Sequence, residues 1–340
     1  MVTPAERPAA PVMTDVARLA GVSHQTVSRV INNHPSVRED TRRRVQTAID
    51  QLGYRRNLVA RQLATGRGRA LGLVSVDTVH FGPANTIFAI AEACRERGYF
   101  VNFAALTEID APHMREAIDY LKDSSVDAIL VIAPVAAAVE ALRDLDVGFP
   151  VIRIGKSDAT VEAGLYVDNV EGGRLATGHL LDLGHDQVHH VSGPSDWVEA
   201  EARIRGWRGE LESRSINPPP VVVGDWSAES GYRAGTELAR KGDVTAVFAA
   251  NDQMALGVMR ALEDNGIRVP ADVSVVGFDD VPDASFFGPS LTTIRQDLGE
   301  IGRRSVDAVL ALVHGDELPS QPPVRPELVI RASTAAPPTP

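Results

Sequence analysis

The chain of 340 residues contains a single cysteine, Cys94, so no disulfide can form within it. That scarcity fits a reducing compartment, and Cys94, on an apolar stretch, reads as a core residue. Long apolar runs are missing too. No segment reaches the roughly 18 apolar residues of a membrane span. The N-terminal region lacks the apolar core of roughly 7–15 residues that marks a secretory leader. No membrane partner and a cytoplasmic location are therefore expected. The sequence has no G-x-S-x-G nucleophile elbow and no G-x-x-x-x-G-K-[ST] phosphate loop, so neither an enzyme nor a cofactor is expected. No tandem repeat is visible. His185, His189 and His190 lie close in sequence, but 189 and 190 point to opposite faces of a strand, which argues against a metal site.

The charge is acidic overall: 45 Asp and Glu against 34 Lys and Arg, a formal net −11. As a whole-chain number this argues against a nucleic-acid partner. Residues 1–70 reverse it. They carry 12 basic residues, all arginine, against 5 acids, a net +7, while the remainder carries 22 basic and 40 acidic residues, a net −18. Such a split suggests a nucleic-acid-binding module joined to a separate body.

Residues 13–53 read as three helices without strands. Val16, Ala17, Leu19 and Ala20 form an apolar face on the first, with Thr14 or Asp15 as its cap. Gly21-Val22-Ser23 makes a turn, and Ser23 caps a second helix from His24 to Ile31 with Val27, Val30 and Ile31 inward. The third runs from about Arg38 to Leu52 and ends at Gly53. Helix, short glycine turn and polar second helix form the helix-turn-helix layout. On the second helix His24, Gln25, Ser28 and Arg29 point outward and are candidates for reading base edges. Thr26, Asn32 and the arginines are candidate phosphate contacts. Residues 57–64 form a short helix, capped by Asn57, that is too short to be stable without a partner.

From residue 71 onward strands and helices alternate. Strands are predicted at 71–76, 100–104, 127–133, 150–154, 188–192, 221–223, 245–250 and 273–278. Helices are predicted at 85–98, 112–123, 136–144, 171–183, 198–215, 228–241 and 252–265. Near-continuous apolar strands between amphipathic helices indicate parallel sheets covered on both faces, here two of them. Ligands in such folds sit beyond the carboxyl ends of strands. Asn251 and Asp252 follow one such end, Asp279 and Asp280 another, and Gly193–Trp197 a third. Carboxylate, amide and guanidinium groups can bridge adjacent sugar hydroxyls, and Trp226 can serve as a platform for an apolar sugar face. The same residues have plainer readings: Asn251 as a helix cap, Asp279 as a turn residue and Trp226 as core.

The segments DVARLAGVSHQTVSRV, RQLATG, GDWSAESG, ANDQMALGVMRA, ADVSVVGFDD and LTTIRQD resemble the LacI/GalR family of bacterial transcription regulators, and the resemblance runs from about residue 13 to 331. It implies an all-α helix-turn-helix headpiece joined to an α/β periplasmic-binding-protein-like core of two parallel-sheet subdomains. The implied layout is a disordered tail at 1–12, a DNA-binding domain at 13–56, a hinge helix and linker at 57–70, a core at 71–331 and a disordered tail at 332–340. The core divides into 71–166 plus 297–325 and 167–296 plus 326–331. By resemblance His24, Gln25 and Arg29 read bases, and Leu63 wedges into the minor groove; alone, Leu63 reads as ordinary helix packing. Arg203, Trp226, Asn251 and Asp279 match ligand contacts of the family, and Gln296 lies at a cleft position.

What the resemblance implies is a homodimeric repressor of a carbohydrate-utilisation operon. It would be released from double-stranded, pseudo-palindromic operator DNA by a small sugar or glycoside. A corepressor (sugar phosphate, nucleobase or phosphoprotein) or, more remotely, a sugar-binding or sugar-acting protein are the alternatives. Several residues depart from the family pattern. Val12 stands in place of a threonine, and Arg56 in place of the proline before Asn57. Gly155 replaces an aspartate that contacts sugar in one member, and His80 replaces an apolar pocket residue.

Overall fold

The computed structural model describes residues 11–31, 34–54, 68–76, 79–106, 108, 110–143, 148–155, 164–318 and 320–338. The chain forms two compact units, Met1–Gly68 and Arg69–Pro340.

The first unit holds α1 (Met13–Ala20), α2 (His24–Ile31) and α3 (Glu39–Leu52). Val12, rather than Thr14 or Asp15, occupies the N-cap of α1, and the Asp15 carboxylate accepts its backbone N–H at 3.0 Å. Gly21 closes α1 in the left-handed conformation, φ 64°. Ser23 Oγ accepts from Thr26 N at 3.1 Å and caps α2. Val16, Ala17, Ala20, Val27, Val30, Val45 and Ala48 are buried together with Tyr54. Leu19, expected on this apolar face, is 50 % exposed. The buried stripe follows positions 16, 17 and 20, with Met13 packed below, and residue 19 falls outside that helical spacing. Arg44 of α3 donates to Ala20 O at 2.7 Å and Gly21 O at 3.2 Å, so this arginine fastens the turn and satisfies the end of α1.

The second unit opens with β1 (Ala70–Ser75), α4 (Phe81–Glu96), β2 (Phe100–Ala105), α5 (Ala111–Asp123), β3 (Ala128–Ile132), α6 (Ala136–Arg143) and β4 (Val151–Ile154). These strands make a parallel sheet in the order β2-β1-β3-β4. There follow α7 (Asn169–Asp182), β5 (His189–Ser192), α8 (Val198–Ser213), β6 (Val222–Val223), α9 (Ala228–Ala239), β7 (Ala246–Ala249), α10 (Asp252–Asp264), β8 (Ser274–Asp279), β9 (Thr292–Arg295), α11 (Leu298–His314) and β10 (Glu327–Val329). The second sheet runs β10-β9-β8-β7-β5-β6, parallel except for the β9–β10 pair. α11 returns to the first sheet's lobe, where Ile301, Val306 and Val309 join Leu71, Leu73 and Ile90 in one core. Cys94 is buried in that same core.

Besides a short 3-10 helix at Pro282–Phe286, three elements lie outside the predicted set: β9, β10 and α11. β9 is threonine-rich and β10 is three residues long, so neither carries an apolar alternation. α11 carries glycines at 299 and 302 in its first turns, which weakens its helical signature.

Residues 332–338 correct an expectation: they are ordered against the second sheet, not a loose tail. Ser333 is fully buried. Its hydroxyl donates to Val275 O at 2.6 Å and accepts from Thr292 N at 2.8 Å, while its carbonyl accepts from Val275 N at 2.8 Å. Ala335 N donates to Ser274 Oγ at 3.0 Å, and His185 Nε2 lies 3.0 Å from Ala335 O. The segment has no core of its own, but it satisfies backbone groups at the starts of β8 and β9 that would otherwise be buried unpaired. Removing residues 332–340 should lower Tm by about 5–10 °C in a thermal melt, because each orphaned buried group costs about 1–3 kcal/mol. An unchanged Tm would return the segment to the status of a tail.

Candidate functional site

On α2, His24, Gln25 and Arg29 are exposed, and Ser28 is half-buried beside them. Positions 24, 25, 28 and 29 share one helix face. Thr26 is half-buried, and its hydroxyl lies 2.9 Å from Ser23 Oγ, so it belongs to the cap as well as to the surface. Val27 and Val30 hold the opposite face in the core. The helix therefore presents a rigid polar row of the dimensions a major groove admits. Asn32, Asn57, Leu63 and the whole 57–64 helix lie outside the described residues.

In the second unit a cleft, partly open to solvent, lies at the carboxyl ends of both sheets. Arg203, Trp226, Asn251, Asp279 and Gln296 all line it. Five residues picked from separate elements thus converge on one cavity. β7 delivers Asn251, β8 delivers Asp279, β9 delivers Gln296, and α8 supplies Arg203.

Arg203 is 5 % exposed, and its position depends on close helix packing. A Cβ at Gly173 of α7 would lie 2.4 Å from Arg203 O, and one at Gly206 of α8 would lie 2.0 Å from Val170 O. These paired glycines bring α7 and α8 together so that Arg203 Nε reaches Asn169 Oδ1 at 2.8 Å. Nη1 donates to Ala250 O, the guanidinium stacks 3.7 Å from the Phe278 ring, and Nη2 lies 3.8 Å from Asp279 Oδ1.

Asp279 accepts from Gln296 Nε2 at 2.7 Å. Its φ of 113°, like the 71° of Trp226, lies in the left-handed region that side chains other than glycine avoid. Strain of this kind persists where the surroundings over-determine it and is concentrated at binding sites. Burial pushes the Asp279 carboxyl up to about 6, against the pull of Arg203 and Gln296. Asp252 behind it is fully buried, accepts from Thr293 Oγ1 at 2.5 Å and from Val281 N at 2.8 Å, and is structural. Burial and the neighbouring Asp279 charge push it up to about 8.

Asn251 is a helix cap, as its plainer reading held: Oδ1 accepts from Met254 N, and Nδ2 donates to Trp226 O and Gln253 Oε1. Trp226 is 6 % exposed, yet it edges the cleft, and its buried Nε1 has no partner among the described residues. It stands 5.3 Å from Trp197, which stands 5.3 Å from His80, and both pairs are edge-on. Trp197, the last residue of the Gly193–Trp197 stretch expected at a strand end, lines the cleft, whereas sequence reasoning missed Glu199. The signal was present: Glu199 lies four residues before Arg203 on the same helix and so shares its face. The histidines chosen as a weak metal candidate are packing groups. His190 Nδ1 bonds Phe248 O at 2.9 Å, its ring stacks on Phe248, and burial drives it down to about 3.

Comparison with known proteins gives a consistent picture. Residues 12–57 match the family model "Bacterial regulatory proteins, lacI family", and residues 177–334 match "Periplasmic binding protein-like domain". The lactose operon repressor of Escherichia coli (strain K12) is 37 % identical over 330 residues, covering 96 % of this chain and 91 % of that protein. The transcriptional repressor PurR of Haemophilus influenzae (strain PittEE) is 34 % identical over 94 % of this chain and 97 % of its own. The crystal structure of the lac repressor dimer bound to operator and the anti-inducer ONPF superposes with a TM-score of 0.81 at 34 % identity, over 96 % of this chain and 99 % of that one.

The buried carboxyl pair predicts a pH effect. Asp252 titrates near 3.8 when unfolded and about 8 when folded, so the native state holds the extra proton between those values. Its contribution to stability is full below pH 3.8 and is lost as pH rises toward 8. Asp252→Asn should therefore gain stability relative to wild type as pH is raised from 4 to 8, measured by denaturant unfolding at each pH. A stability difference independent of pH would contradict the assignment.

Proposed function

The chain belongs to the LacI family of bacterial regulatory proteins and is a sequence-specific DNA-binding regulator of transcription; we propose that it is a cytoplasmic, homodimeric repressor released from its operator by an uncharged sugar or glycoside. In this reading residues 13–56 bind DNA through His24, Gln25, Thr26, Ser28, Arg29 and Asn32. Residues 57–70 act as a hinge helix and linker, with Asn57 at its start and Leu63 entering the minor groove. Residues 71–331 are the effector-binding core, one lobe being 71–166 plus 297–325 and the other 167–296 plus 326–331. Two-fold symmetry would set the two copies of α2 in successive major grooves of a pseudo-palindromic operator. Ligand held between the lobes would favour the arrangement in which the paired hinges separate, and operator affinity would fall by the ligand's differential affinity for the two states.

One observation carries the effector class: the row Arg203–Asp279–Gln296 faces an aromatic wall of Trp197 and Trp226. Donors and acceptors on one side and ring faces on the other suit hydroxyls and the C–H face of a sugar. The charge disfavours a phosphorylated ligand. Arg203 is already engaged with Asn169, Ala250 and Asp279, and Asp168, Glu199 and Asp279 line the same cleft. Ring geometry also disfavours a nucleobase. Interplanar angles of 68° and 78° offer edges, not the parallel slot that stacks a planar base.

A duplex selected from a random pool should be bound with an affinity that falls steeply with salt. Arg29→Ala should weaken that binding about 10- to 100-fold, while the sugar-induced thermal shift of the protein persists. Asp279→Asn should abolish sugar-dependent release in a gel-shift assay. Salt-insensitive DNA binding would refute the headpiece assignment. A response confined to sugar phosphates or nucleobases would refute the effector class.

A further inference from the structure

The Asp279–Gln296 row does not account for the opposite end of the cleft, where β4 ends at Gly155 and α8 begins. Glu199 stands there in the first turn of α8. A carboxylate near a helix N-terminus has an ordinary structural reading, since it complements the exposed N–H groups. The neighbouring Glu201 fits that reading: it is exposed and pairs with Arg205 at 3.9 Å on its own helix. Glu199 fits it only in part: its carboxylate takes a hydrogen bond from its own backbone N–H, but its Oε2 is buried without a hydrogen-bond partner among the described residues. Burial pushes its carboxyl up to about 7, despite that backbone hydrogen bond and the charges of Arg203 and Arg153. A buried oxygen left bare in the unliganded protein costs stability, and such a group calls for an explanation.

The surroundings supply one. Gly155 adopts φ 118°, a conformation that side chains rarely take, and a Cβ there would sit 4.0 Å from Glu199 Oε1. Any longer side chain at 155 would grow over the carboxylate, so glycine leaves it open. Trp197, two residues before Glu199, is half-buried and continues the aromatic wall from Trp226 toward His80 in two successive 5.3 Å steps. The wall therefore extends past the Asp279 end toward a second acceptor. Arg203, one turn further along α8, lies between the two carboxylates and senses the charge of both.

We propose that Glu199 forms a second hydroxyl-reading subsite, in which its carboxylate accepts a pair of sugar hydroxyls beside Gly155 while Trp197 covers the ring's apolar face. The subsite rests on the reading of the cleft as a sugar site and names the residue that sets which sugar fits. A carboxylate accepts two hydroxyls at once, and a site built on such a group rejects an analogue that lacks one of them, because the acceptor is then buried unpaired.

The test is isothermal titration of the full-length protein with a panel of uncharged hexoses, disaccharides and methyl glycosides, followed by the monodeoxy derivatives of the tightest binder. Glu199→Gln should raise Kd for that sugar about 10- to 100-fold, and Glu199→Asp should recover part of the loss. One monodeoxy derivative should bind wild type weakly but bind Glu199→Gln as well as the parent sugar does, the coupling expected of a direct contact. The Tm of Glu199→Gln should equal or exceed that of wild type, since the amide removes a buried charge. If Glu199→Gln binds every sugar within twofold of wild type while Asp279→Asn binds weakly, the second subsite is refuted and the sugar reading stands. If no uncharged sugar binds wild type, the sugar reading falls and the subsite falls with it.

Discussion

The core is organised around one buried cation. Arg203 is withdrawn from water by α7 and α8, and a guanidinium in that position is tolerable only if its donors and its charge are met. Asn169 meets Nε, Ala250 O meets Nη1, Phe278 covers a face, and Asp279 answers the charge. Those partners come from the start of α7, the end of β7 and the end of β8. The requirement to satisfy Arg203 thereby fixes where three strand–helix junctions meet. Arg203 also contributes to the electrostatics of the cleft, where its charge opposes the effect of burial on both Asp279 and Glu199.

The headpiece is governed by a different constraint. Three helices with so few buried side chains have little core to rely on, and the caps matter accordingly. Ser23 starts α2, Gly21 ends α1, and Arg44 crosses from α3 to hold both. An arginine-rich segment is readily taken as a uniform phosphate-binding surface. At least one of its arginines is instead an internal fastener, and the outward row of His24, Gln25 and Arg29 is rigid because α2 is held on its other side.

Much of this was legible in the sequence, for reasons tied to particular residues. The 3.6-residue spacing of Val27 and Val30 and the Gly21-Val22-Ser23 turn specify the headpiece locally. Apolar strands such as 128–132 announce a parallel sheet because both their faces are covered. Asn251 and Asp279 could be chosen because in such sheets the chemistry lies at strand ends, and Trp226 as an aromatic platform, whereas Arg203 and Gln296 came only from the family resemblance. What escaped was decided by distant partners. Thr292 and Thr293 form a buried strand only because Asp252, Ser333 and neighbouring backbone meet their polar groups. Glu199 shares the face of Arg203 by spacing, but its bare buried Oε2 follows from tertiary packing that no spacing reveals. Leu19 looked internal by hydrophobicity and was placed outside by the helical angle alone.

The anchoring of Ser333 also bears on the cleft. Its hydroxyl and carbonyl bind Val275, and its hydroxyl binds Thr292. The last described residues are thus tied to the roots of β8 and β9, and through Thr334 and Ala335 to His179 and His185, rather than to β10 or α11. β8 ends at Asp279 and β9 leads into Gln296, so the same two strands run from this anchor to the ligand-facing row.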